Sequence, residues 1–441
     1  MDMKMISLLK LTMASALLAV QFILPTGGQA SPVLSSRAVS NSAPYLSGEI
    51  LISGLDNVKH LPSVAYNSKR NEYLVVWHTE WTIGTRDIRA QRVSPAGKLL
   101  GSEFTVYENP TRDAAQPSVA YDPVNDRYLV TFVYDSFGDG SDWDLYGRLI
   151  PWNGPSASMA AFPIITWSTS QWNPKVVYAG GIQQEFFVVW NNTYTAGTPP
   201  AYVSGKRMRL DGTFPSSGSD LTLSDMSINY VNPDVSYNLA RNEYLVVWEK
   251  VTSLSNHDIW GVRITGNAVQ LGGGPFGIAG WPDSEEIPAV AACNMANQYL
   301  VTWQSDQQSA GSINYAIYAR YINGDGSVAG VHLVDDTTSP EIHADVACIN
   351  GGRQYLIAWQ TRYVTGYYGV WARLAFPDES FQDSFGLVQP GASADRTYPS
   401  IAGGNSNYLV AWEHERAGTS YQDIRGRVVT PSMIFLPLVI R

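Results

Sequence analysis

Glu285 beside Glu286, and Glu413 with Glu415 around His414, are carboxylate pairs of the kind that acid–base cleavage of a glycosidic bond requires. Such cleavage needs two acids roughly 5 to 9.5 Å apart across a cleft, a separation that sequence spacing does not encode. Such acidic clusters are more often simply solvated loops. Asp135, Asp139, Asp142 and Asp144 place four carboxylates within ten residues, and hard oxygen ligands at short spacing suit calcium. That stretch lacks the spacing and the terminal Glu of an EF-hand, so a polar loop is the competing reading. Glu341, His343 and Asp345 alternate at a strand entrance without a zinc motif such as His-Glu-x-x-His. Gly272 to Gly277 satisfies Gly-x-Gly-x-x-Gly, but no strand and helix flank it to cradle a phosphate. No Gly-x-Ser-x-Gly nucleophile elbow occurs.

These residues hang on a repeat. Pro62-Ser-Val-Ala-Tyr66, Asn71-Glu-Tyr-Leu-Val-Val-Trp77 and Asp87-Ile-Arg-Ala-Gln-Arg-Val93 form one unit, which recurs with drift along the chain. Its second phrase ends at Trp77, Phe132, Trp190, Trp248, Trp303, Trp359 and Trp412, which defines seven units spaced 53 to 58 residues apart. Each phrase is a short run of β-branched and aromatic residues bounded by Asn, Asp, Gly or Pro, the composition of a strand between turns. A weaker fourth strand follows, as in Glu103 to Val106. One four-stranded meander cannot bury both faces, so the units must stack, and a ring leaves no exposed end. The expected fold is all-β, a seven-bladed β-propeller of four-stranded antiparallel blades over residues 47–430. Gly48 to Ser53 resembles a fourth strand that the seventh unit lacks, so the N-terminal strand is expected to close the ring.

Positions that repeat in every unit serve the blade. This places the recurring Trp, Asp87, Asp144, Asp258 and Asp423, and the arginines Arg92, Arg148, Arg207, Arg263, Arg320, Arg373 and Arg427, with architecture. The loops between second and third strands differ between copies, and loops on a rigid scaffold carry binding residues. They and the links between units collect Trp81, Trp143, Trp172, Tyr202, Trp281, Tyr315 and Tyr367 among polar residues, a composition suited to stacking on sugars or docking a protein surface.

Residues 1–30 read as a secretory signal, with Lys4 and Lys10, an apolar stretch from Leu11 to Leu24, and a small-residue cleavage site ending at Ala30. Residues 31–46 read as a linker and 431–441 as a short apolar tail. No later run is long enough to span a bilayer. A net charge of −10 and a pI near 5.1 argue against nucleic acid. Cys293 and Cys348 lie one repeat apart and one register step out of line, so they are read as buried small apolar residues, with a bridge left open.

Across residues 48 to 429 the chain resembles a loosely defined group of secreted bacterial β-propeller repeat proteins carrying Pro-x-Val-Ala-Tyr, Tyr-Leu-Val-Val-Trp and Asp-Ile-x-Ala-x-Arg phrases. The resemblance implies the fold and export, to the medium or the cell envelope, and no agreed activity. Sialidase Asp boxes and WD40 signatures are missing. The expected function is a monomeric, non-enzymatic module that recognises a glycan or a cell-surface protein through the long-looped face. The alternatives are a carbohydrate-active hydrolase or lyase with acids in the central funnel, and a structural envelope component.

Overall fold

The computed structural model describes residues 43–432, apart from 82–84, 156–158, 195–199, 217–219, 254, 307–313, 338, 364–365 and 390–393. The leader, the linker up to residue 42 and tail residues 433–441 lie outside the described residues. Seven four-stranded antiparallel sheets form a ring, each a meander running outward from the axis. Blade 5 is representative, with strands Glu285–Cys293, Gln298–Ser305, Ala316–Asn323 and Val328–Asp335. The inner strand of blade 7, Arg396–Gly403, packs beside that of blade 1, Val58–Asn67, so the ring is closed. Closure uses the N-terminal strand, as the sequence suggests. Ile50–Ser53 pairs with Gln422–Thr430 of blade 7, Ile50 opposite Gly426, and Tyr45–Leu46 extends the same edge. No helix among the described residues is long and apolar enough to cross a membrane.

The recurring aromatics are wholly buried and join blades to one another. Trp359 of blade 6 packs with Leu300, Ile317 and Ala319 of blade 5, and Trp303 of blade 5 packs with Leu245 and Val247 of blade 4. The indole N–H groups differ, however. Trp77 donates to Thr79 Oγ1 at 3.0 Å and Trp190 to Asn192 Oδ1 at 2.9 Å, whereas those of Trp248, Trp303, Trp359 and Trp412 have no partner. The recurring arginines also split by use. Arg92, Arg207 and Arg263 fork onto Glu72, Glu185 and Glu243 of their own blades, with closest contacts of 2.7 to 2.9 Å. Arg148, Arg320 and Arg373 reach instead to the backbone carbonyls of Val106, Ile278 and Val334 in the preceding blade's outer strand.

Each inner strand carries a bulge just before its proline, or before Ala344 in blade 6. The bulge residues Leu61, Gln116, Asn173, Asn232, Ile287, His343 and Tyr398 all have φ between 50° and 54°. A β-branched residue such as Ile287 reaches this left-handed region only when its surroundings impose it. Seven-fold repetition makes the bulge part of the blade design. At the far end of the inner strands, Cys293 and Cys348 form a disulfide, with Cα atoms 5.3 Å apart, clipping blade 5 to blade 6. This corrects the reading of two unbridged apolar residues. The one-step offset between the strands is small enough for the side chains to meet.

Two outcomes follow for stability. Trp359→Ala costs about 3 to 5 kcal/mol in denaturant unfolding, and Trp190→Phe costs more than Trp359→Phe because only the former leaves an acceptor, Asn192 Oδ1, unpaired. Equal costs for the two Phe variants would remove the role given to that hydrogen bond. Cys293→Ser with Cys348→Ser, which opens a loop of 55 residues, lowers stability by about 2 to 4 kcal/mol in the same assay.

Candidate functional site

Inner strands begin at the end where the long loops and inter-blade links emerge, as the pairing of Glu285 with Ser305 shows. The bulges lie just below this mouth and turn a backbone N–H out of the sheet, where burial obliges it to find an acceptor. The residue after the recurring aromatic of the preceding blade supplies one at four junctions. Gln304 Oε1 accepts from His343 N at 2.9 Å and Gln360 Oε1 from Tyr398 N at 2.8 Å. Glu249 Oε2 accepts from Ile287 N at 3.1 Å and Glu413 Oε1 from Leu61 N at 2.8 Å. An amide oxygen therefore does this structural task as well as a carboxylate.

The charge at Glu249 and Glu413 has a second consequence, because each of these acids directs its other oxygen at a histidine. Glu413 Oε2 lies 3.2 Å from His60 Nδ1, and Glu249 Oε1 lies 2.8 Å from His257 Nδ1. A carboxylate bound to Nδ1–H fixes that tautomer and leaves Nε2 with the lone pair, the arrangement of a general base. Both carboxylates are buried, whereas the His60 side chain is 30% exposed.

His60 opens onto a cavity of about 450 Å³ lined also by Leu61, His78, Asp395, Thr397, Tyr398, Glu413, Glu415 and Gln422. His78 lies against His60, ring centroids 5.3 Å apart and planes tilted by 38°, and its Nδ1 has no hydrogen-bond partner. Burial, helped by His60 and Arg86, pushes its pKa down to about 3, so its imidazole stays neutral. Glu415 Oε2 accepts from Asp395 N at 3.2 Å, and Asp395 Oδ1 from Tyr368 N at 2.8 Å, leaving one oxygen of each unengaged. Of the cations nearby, Arg396 acts on Asp395 and Glu415 and donates to the Ala394 carbonyl with its Nε unpartnered, and the others are committed. Lys59 Nζ caps the carbonyls of Leu55 at 2.6 Å and Gln422 at 3.1 Å, and burial lowers its pKa to about 8. Arg416 pairs with Asp56 and Asp423, and Arg86 with Asp113.

At the junction of blades 4 and 5, Glu286 Oε1 lies 3.8 Å from His257 Nδ1 and accepts from the Tyr315 hydroxyl at 3.5 Å, while Gln304 Nε2 donates to Oε2 at 3.1 Å. Burial and the neighbouring Glu249 raise the Glu286 pKa. Below the mouth, the axial tunnel encloses about 270 Å³ lined by the bulge residues and their prolines. Lys175 enters it and acts electrostatically on Asp234 and Asp345, whose carboxylates accept from Val290 N and Ile401 N of the next blades, each at 2.8 Å.

The residues singled out from sequence separate into distinct environments. Glu286, Glu413 and Glu415 stand at the mouth. Glu285 points the other way along its strand, wholly buried, accepting from Trp281 N at 3.0 Å and Ser305 Oγ at 3.3 Å, and burial raises its pKa to about 7. Glu341 repeats this arrangement on Thr337 in blade 6 and rises to about 8. Asp135 accepts from Gly138 N and Gly140 N, both at 2.8 Å, Asp139 from Ser141 N at 2.9 Å, and Asp144 from Ser136 Oγ. Asp142, half-buried, has its pKa raised by burial and by Asp135 and Asp139. These oxygens are spent largely within their own loop, and among the described residues no three His, Cys, Asp or Glu side chains group as a metal site.

Of the aromatics, Trp172 adjoins the bulge of blade 3 and packs on buried Trp143 with centroids 5.1 Å apart, and Tyr315 reaches Glu286. Trp81 donates to Asp87 at 2.5 Å, Trp281 packs on Tyr318 at 5.1 Å, Tyr202 is buried near Tyr194, and Tyr367 is half-buried. Sequence reasoning missed His60, His78, Glu249, His257 and Asp395. The available signal was the residue after each recurring aromatic, which is Gln in blades 5 and 6 but Glu in blades 4 and 7.

No protein family and no curated protein matches this sequence. Solved structures do. A protein of unknown function from Dyadobacter fermentans aligns with a TM-score of 0.52 at 11% identity, covering 88% of this chain and 100% of that one. The polysaccharide lyase Uly1 aligns with a TM-score of 0.52 at 9% identity, covering 88% and 100%. A puromycin hydrolase aligns with a TM-score of 0.51 at 13% identity, covering 80% of this chain and 50% of its own. At these identities the likeness is one of fold.

The buried acids set a pH dependence of stability. Glu285 and Glu341 hold their protons more tightly folded than at the ordinary value of 4.5, so their contribution is complete below pH 4.5 and is lost as pH rises through 7 and 8. Glu341→Gln keeps an acceptor for Thr337 and should flatten the fall in unfolding midpoint across that window. An unchanged slope would show that Glu341 ionises freely.

Proposed function

We propose that the protein is a carbohydrate-active enzyme that hydrolyses a glycosidic bond at the mouth between blades 7 and 1. Its leader-like N-terminus supports export to the medium or cell envelope. The observation that carries the reading is the use of Glu at two inter-blade clasps where Gln suffices elsewhere, each Glu holding an imidazole. His60 Nε2 serves as the base that activates water, positioned by Glu413. Glu415, with one oxygen unengaged on the same cavity, serves the leaving group. Both oxygens of Glu413 are occupied, which disfavours it as a covalent nucleophile. Trp172 and Tyr315 supply apolar faces for flanking sugars.

The polysaccharide lyase among the structural neighbours illustrates glycan chemistry on this fold. Elimination next to a uronate would need a cation to neutralise the carboxylate, and no lysine or arginine among the described residues lines this cavity, so hydrolysis fits it better. A second reading, a glycan-binding module without catalysis, draws on the Trp143 and Trp172 pair.

Release of reducing ends from a panel of neutral and amino polysaccharides tests the proposal. His60→Ala should lose about a hundredfold or more in kcat, the usual size of a general-base contribution. Glu413→Gln keeps the acceptor for Leu61 N–H but offers Nδ1 an N–H, and should lose activity with its melting temperature nearly unchanged. Full activity in both variants would sink the assignment. Binding without turnover by the wild type would favour the second reading.

A further inference from the structure

The mouth is electrically one-sided. In five blades the acidic residues of its links, strand entrances and loops outnumber the basic ones, blade 1 balances Asp56 and Glu80 with Lys59 and Arg86, and blade 3 carries neither. Blade 5 sets Asp283, Glu286 and Asp306 against no base at all. Among the described residues the cavity beside His60 has no lysine or arginine in its lining, and Asp395 and Glu415 each leave one carboxylate oxygen unengaged there. A second observation is independent of this charge. His78 lines the same cavity at 6% exposure and its buried Nδ1 has no hydrogen-bond partner, an orphaned polar atom of the kind native proteins seldom leave without a role. As a neutral imidazole it offers a lone pair.

We infer that this cavity takes a primary ammonium group, received by Asp395 and His78, so that the glycan acted on is an amino sugar polymer with free amines. The class of polymer rests on the carbohydrate-active reading, whereas the ammonium preference does not. An anionic sugar would meet the Asp395 and Glu415 carboxylates with no lysine or arginine in the lining to receive it, and like charges brought together in a partly desolvated cleft repel. An ammonium would give Asp395 a charge-assisted partner and His78 a donor.

Calorimetric titration of the full chain tests this at low salt with three oligosaccharides of equal length: glucosamine, N-acetylglucosamine and galacturonate. The glucosamine oligomer should bind about tenfold tighter than its N-acetylated counterpart, the worth of one charge-assisted hydrogen bond, and lose that advantage as salt is raised. Asp395→Asn should reduce the preference about tenfold while leaving affinity for the N-acetylated oligomer unchanged. His78→Phe, which keeps the ring and removes the lone pair, should reduce it as well. Equal binding of all three oligomers, tighter binding of galacturonate, or no binding overturns the inference. A lysine-rich peptide that outcompetes glucosamine overturns the glycan assignment. His60→Ala should retain the preference while losing turnover, so loss of catalysis and loss of ammonium recognition are read separately.

Discussion

A backbone N–H turned out of its own sheet and buried at a blade junction has to be met by an acceptor, because leaving it unpaired costs roughly 1 to 3 kcal/mol. Each of the seven inner strands creates one such group at its positive-φ bulge. The acceptor comes from the neighbouring blade at the four junctions of Gln304, Gln360, Glu249 and Glu413, and Gln116 Oε1 serves Asn173 at another. The bulge thus ties together two features that look separate in sequence. The buried aromatic fixes the second strand against the preceding blade, and the next residue along is thereby held at the axis.

This arrangement explains how chemistry can be introduced without disturbing the ring. Replacing a clasp amide by a carboxylate keeps the hydrogen bond and adds a charge that a nearby imidazole can use. A buried carboxylate beside a neutral histidine is costly compared with an amide, and natural proteins tend to accept such costs where function requires them. Only two junctions carry it. Tunnel residues differ, since Asp234 and Asp345 both accept backbone N–H groups and feel the charge of Lys175, yet burial outweighs these and raises the pKa of both.

The architecture was legible because its determinants are local and repeated: Pro-x-Val-Ala-Tyr, the terminal aromatic of the second strand, and the unpaired seventh blade that called for Gly48 to Ser53. The site was legible only in part. Glu286, Glu413 and Glu415 were visible as acids, but adjacent strand residues face opposite ways, and this alone sends Glu285 into the loop core and Glu286 to the mouth. His60 and Glu413 are separated by 353 residues and meet only because the ring closes. The disulfide was obscured for a related reason, since a one-residue offset between strands of different blades has no fixed distance until the blades are placed.

Ring order gives the two histidine dyads a further relationship. One occupies the junction of blades 7 and 1, the other a junction three steps away in one direction and four in the other, nearly opposite across the mouth. The axial tunnel beneath, at about 270 Å³ and narrowed by prolines from six blades, is smaller than the cavity of about 450 Å³ beside His60. The mouth is therefore the roomier of the two spaces. Across it, His60 with Glu415 stands on one side and His257 with Glu286 on the other, with Trp172 on the wall between them. The same closure that removes the exposed ends of the sheet stack thus brings two histidine–carboxylate pairs, far apart in sequence, to one rim.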